Sequence, residues 1–136
     1  MSPFSFIRKN SNTPSGAACL AMICRYYGRE FPKADWQTMD WTSMEALAKA
    51  GRELGFETIR GLPTVSQLSR IGLPCILLWD RTRFVVLRKV RNGIYHIVDP
   101  EKGRRWYGER RFTLHWAIPN PSGYIKGSAL FITDRS

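Results

Sequence analysis

Several things are missing from this sequence. No apolar run approaches the roughly 20 residues that a membrane-spanning helix needs, so no span is expected. The N-terminus, MSPFSFIRKN, has no charged start leading into a long apolar stretch, so no secretory signal is expected. Histidine occurs only twice and cysteine three times, with no Cys-x-x-Cys pair. The usual structural zinc spacings are therefore excluded, and neither a metal nor another cofactor is expected. The phosphate-binding Gly-x-x-x-x-Gly-Lys-Ser/Thr word is absent, so the chain is not expected to hydrolyse ATP by itself. Repeats, low-complexity segments and linkers are also lacking, and 136 residues then read as one domain over 1–136.

What is present is ordinary globular material with an unusual charge. Hydrophobic residues make up 43% and charged residues 24%, enough apolar side chains for a real core. The net charge is +10, which favours an acidic partner: an acidic polypeptide, nucleic acid or anionic headgroups. The cations form small clusters at DRTRFVVLRKVR (80–91) and RRWYGERR (104–111), with no Lys/Arg tail. No helix-turn-helix word, zinc-finger spacing or RNA-recognition signature supports a nucleic-acid reading. Cys19, Cys24 and Cys75 read as buried, reduced thiols of a cytosolic protein.

Apolar residues at 17, 20, 21, 24 and 27 have helical spacing, and Gly28 is a fitting stop. Residues 29–41 have no clean period; they read as a loop whose Trp36 and Trp41 fold back onto the core. Thr42 and Glu45 have capping-box spacing ahead of a second helix, with Met44, Leu47, Gly51 and Leu54 on one face. FETIRG reads as a strand, and Thr64 with Gln67 as a capping box over a short helix. The second half changes character. LPCILLW is a continuous apolar run, as in a buried strand. RFVVLRKV leads into Asn92-Gly93, a strong hairpin signal, and IYHIV returns to Asp99-Pro100. RRWYG reads as a further strand, ERRFTLHW as a short helix, AIPNPSGYIKG as a loop and SALFIT as a closing strand. Helices first and an antiparallel sheet after them describe an α+β domain.

The words SGAACLAMICRYYG, MEALAKAGRELGFET, LPCILLW with RFVVL, YHIVDPEKG and F…W…G.AL, in that order from about Lys9 to Ile132, resemble the peptidase C39 family. The resemblance implies a papain-like cysteine-peptidase fold, with N-terminal helices on a C-terminal antiparallel sheet. It implies the cytosolic domain of a bacterial ABC exporter that cuts double-glycine leaders. It also admits a degenerate branch that docks an unfolded, often acidic export substrate at the inner membrane without cutting it. Two stretches depart from the family: 29–41 is short, and 117–126 looks inserted.

Carried over residue by residue, the resemblance puts the nucleophile at Ser15, the imidazole base at Arg83, the orienting carboxylate at Asp99 and the oxyanion-hole amide at Lys9. Only Asp99 keeps the family's residue. A serine nucleophile needs a base, and a guanidinium does not give up its proton in a protein. His96 is three residues from Asp99 on one strand, so the two point to opposite faces; His115 has no route to Ser15. Ser15 is expected to cap the first helix. Arg83 is expected to pair with Asp99 and to stack on Trp79; an Asp before Pro is also an ordinary turn residue. Trp79 and Arg81 are candidate groove or site-filling residues. The expected function is an inactive domain docking a polypeptide for export, alongside an exporter's transmembrane and ATPase domains. An active leader peptidase using Ser15 and a stand-alone basic adaptor are the alternatives.

Overall fold

A computed structural model describes residues 14–31, 40–71 and 74–134. Lys9 and Trp36 lie outside the described residues. The elements run α1 (Ser15–Tyr26), α2 (Met44–Glu53), β1 (Phe56–Gly61), α3 (Val65–Leu68), β2 (Cys75–Trp79), β3 (Arg83–Arg91), β4 (Ile94–Asp99), β5 (Gly103–Gly108), α4 (Glu109–Trp116) and β6 (Ala129–Asp134). The strands form one six-stranded sheet in the order β1-β6-β2-β3-β4-β5, with every neighbour antiparallel.

The sheet is not simply a C-terminal unit under N-terminal helices. β1 belongs to the helical half and closes one edge by pairing with the last strand, Phe56 opposite Asp134. Helices also cover both faces. On one side α1 and α2 pack on Phe56, Ile76, Phe84, Val86, Val98, Leu130 and Ile132. On the other, Leu68 of α3 and Phe112 and Trp116 of α4 pack on Cys75, Leu77, Trp79, Val85, Leu87 and Ile97. This explains the unbroken apolar run CILLW: β2 is central, so both of its faces are buried. Each such aliphatic side chain contributes about 1.5–3 kcal/mol by leaving water.

Local chemistry sets the boundaries. Tyr26 ends α1, and Gly28 turns the chain with φ +74°. The cap of α2 is Ser43, whose oxygen accepts from Ala46 N–H at 3.0 Å. Thr42, the expected cap, is one residue early; its N–H and hydroxyl both donate to Asp40 instead. The capping box over α3 forms as read, Thr64 taking the Gln67 N–H and Gln67 returning to Thr64 N–H. Asn92 and Gly93 both have positive φ, the backbone of a tight hairpin turn. Trp41 is buried. Gly16 lets α1 approach α2: a Cβ there would sit 2.8 Å from Leu47 Cδ2 and 2.9 Å from the Trp41 carbonyl.

The three cysteines are free and buried. Burial pushes the Cys24 thiol up to about 12, and it raises Cys19 and Cys75 as well. No described helix is long and apolar enough to cross a membrane.

Candidate functional site

α1 points its first turn at the start of β3. Ser15 is the first helical residue and is buried. It is not the expected cap. Pro14 holds that position in an extended conformation, and no side chain caps α1. The Ser15 hydroxyl instead accepts from the Phe84 N–H at 3.0 Å, a bond between residues 69 apart in sequence. It therefore ties the helix to the sheet.

Next to Phe84, Arg83 turns to the opposite face of β3. Its Nη1 and Nη2 donate to Asp99 Oδ1 at 2.5 Å and Oδ2 at 2.8 Å, a bidentate pair. Asp99 is fully buried, and the Arg83 side chain is 14% exposed. Asp99 also accepts from the Glu101 N–H at 2.9 Å, the local turn bond expected of an Asp before Pro. Burial pushes the Asp99 carboxyl up, but hydrogen bonds from Arg83 and the Glu101 backbone outweigh it and hold the carboxyl below its usual range. Burial opposes the Arg83 charge, and Asp99 and Glu101 restore it, so its pKa is raised. A second carboxylate, Glu101, stands 3.6 Å from Arg83 Nε.

Arg83 makes no stack on Trp79. That indole face is covered by His115 of α4, with ring centroids 4.8 Å apart and planes 8° from parallel. The His115 Nδ1 meets Asp80 Oδ1 at 2.7 Å, and the His115 carbonyl accepts from the Asp80 N–H at 2.8 Å. Trp79 is thus a core residue, not the wall of an open groove. Arg81 is exposed at the tip of the β2–β3 turn, where Asp80 (φ 52°) and Arg81 (φ 61°) are both left-handed. Sequence reasoning missed this latch. Asp-Arg carries no glycine signal, and a His in a short helix says nothing about an aspartate 35 residues away.

The chemistry this arrangement allows is limited. Among the described residues, Ser15 receives a proton-bearing amide and faces no base. His96 lies across from Lys89 and Trp106, away from Asp99. His115 is held by Asp80 and Trp79. No group of three or more metal-ligating side chains occurs among the described residues.

The peptidase C39 family model matches residues 3–119. The chain belongs to the peptidase C39 family. It is 30% identical over 115 residues to the probable microcin-H47 secretion/processing ATP-binding protein MchF of Escherichia coli, a match over 81% of this chain but 16% of that protein's length. Its fold matches the double glycine motif protease of an AMS/PCAT transporter, solved with its leader peptide, at TM-score 0.77 and 25% identity, covering 94% of this chain and 89% of that one. The peptidase domain of Streptococcus ComA, a bifunctional ABC transporter, matches at TM-score 0.76 and 19% identity, covering 98% and 100%. The α+β, papain-like reading of the sequence therefore stands, with a helix-covered second face added.

Proposed function

We propose that this C39 domain docks a polypeptide for export without cleaving it. The observation that carries the reading is the bidentate Arg83–Asp99 pair. In the family's layout, as the sequence resemblance implies it, Asp99 orients an imidazole that activates the nucleophile. Here a permanently charged guanidinium occupies that carboxylate on both oxygens, and no proton acceptor is left for Ser15 among the described residues. Lys9, at the oxyanion-hole position, departs from the family in the same direction. Three changed positions are more than one substituted nucleophile would explain.

The domain in this reading works with the transmembrane and ATPase parts of an ABC exporter, at the cytoplasmic face of the bacterial inner membrane. The similarity to secretion/processing ATP-binding proteins supports that setting. The charge of +10 suits an acidic, unfolded substrate and a contact that weakens with salt. Calorimetric titration of the domain against unfolded segments of acidic export substrates tests it. Binding at low ionic strength, with the segments intact afterwards, is expected; absence of binding at low ionic strength overturns it.

A further inference from the structure

One corner of the sheet combines cations with exposed apolar side chains. β3 carries a bulge: Leu87 stands opposite Ile97, but Lys89, not Arg88, stands opposite His96. The extra residue reverses the alternation of β3 beyond that point. Val85 and Leu87 face α4, yet Val90 does too, and Lys89 and Arg91 turn to the opposite side with His96 and Ile94. On that side α1 and α2 bury Phe84, Val86 and Val98, toward the Ser15 end of the sheet. The hairpin end stays open. Ile94 is 38% exposed, and Trp106, opposite His96 on β5, is 63% exposed. Gly108 stands opposite Ile94, and a Cβ there would meet nothing within 4 Å, so the flank of Ile94 is clear. Ile94 and Trp106 are diagonal neighbours on adjacent strands, about 7–8 Å apart and within an aromatic ring's reach.

Charge and composition together point to an occupant. The paired residues at this corner, Lys89 with His96 and Trp106, and Arg91 with Ile94 and Gly108, include no acid. The positive field reaches inward: burial, then Lys89, Arg88 and Arg91, lower the His96 pKa. An exposed indole and an aliphatic side chain beside Lys and Arg are what a protein sets at the headgroup level of a bilayer. A nucleic acid would use the cations and stack on Trp106, but Ile94 offers no ring to a second base. The arrangement also suits an extended partner surface. Trp106 is two strand spacings, about 10 Å, from Lys89 and Arg91, and a bilayer presents many headgroups at once across that distance.

We propose that this corner is a lipid-contact surface: Trp106 and Ile94 enter the headgroup layer of an anionic bilayer, while Lys89 and Arg91 meet its phosphates. The contact orients the domain on the membrane and is separate from polypeptide docking. That the membrane is the one around an exporter rests on the setting proposed above; the lipid contact itself does not.

The 136-residue chain is titrated with mixed phosphatidylcholine–phosphatidylglycerol vesicles, and binding is read by co-sedimentation. Binding at low salt that fades at high salt is expected, with none to pure phosphatidylcholine vesicles. A lipid spin-labelled at headgroup depth should broaden the NMR signals of the Trp106 indole, the Ile94 methyls and the Asn92 and Gly93 amides. That readout needs no variant. Partitioning should fall about fivefold in Arg91→Ala and about twenty-five-fold in Lys89→Ala/Arg91→Ala, at one headgroup contact per cation. Trp106→Ala should lower it about tenfold. Each of the following would overturn the proposal: no binding to the mixed vesicles at low salt, equal binding to pure phosphatidylcholine, or broadening confined to another face. So would undiminished partitioning in the variants, or oligo(dT) that shifts these same signals and displaces the vesicles. Export-substrate segments are titrated separately. If they bind nowhere while the vesicles bind here, the docking reading falls and this surface stands; if they bind and the vesicles do not, this surface alone falls.

Discussion

Arg83 decides what the site can do, and its partner decides what Arg83 costs to keep. The pair is mostly desolvated, so removing one member leaves the other charge buried and alone. Asp99→Asn is expected to destabilise the domain by about 3 kcal/mol, measured by chemical denaturation. Arg83→Leu with Asp99→Leu should recover most of that loss, as apolar replacements of buried pairs commonly do. The carboxyl also sets an acid limit. Its folded pKa lies below the ordinary 3.8, so its contribution is present above that value and lost as pH falls through the folded pKa. His96 has the same sign, since it too is lowered from 6.5. The melting temperature should therefore decline in two stages on acidification, first below about pH 6.5 and then below about pH 4, and Asp99→Asn should shrink the second.

At the scale of elements, the β2–β3 turn is the strained part. Two successive non-glycine residues are left-handed there, and the His115 latch from α4 over-determines them. Arg81→Gly should raise stability by about 0.5–1 kcal/mol, read as a higher melting temperature, because it removes the Cβ penalty at an exposed position. Most elements were legible in the sequence because each is written in one local signal: α1 in its spacing, β2 in its apolar run, the hairpin in Asn92-Gly93. What was not legible depends on residues brought together by the sheet. Ser15 reads as a cap because serines before apolar helices usually are caps, yet Phe84, 69 residues on, takes its oxygen. Trp79 reads as a partner for Arg83, its neighbour, but His115 of α4 arrives from the other face. The bulge at Arg88 changes one residue's register and so moves two cations across the sheet; no residue type announces it. The Arg83–Asp99 pair was anticipated only because the family resemblance put both at one site.

Taken whole, the molecule keeps the fold of the peptidase C39 family, and the proposed reading places Ser15 and Arg83 where the family has its nucleophile and base. Helices pack on both faces of the sheet, and the Arg83–Asp99 pair joins β3 to β4. The central claim is that this C39 domain does not cut. The most direct measurement incubates the 136-residue chain with double-glycine leader peptides and follows the products by mass spectrometry. The account predicts intact peptide, with Ser15→Ala indistinguishable from wild type. Cleavage after the double glycine that disappears in Ser15→Ala would contradict it.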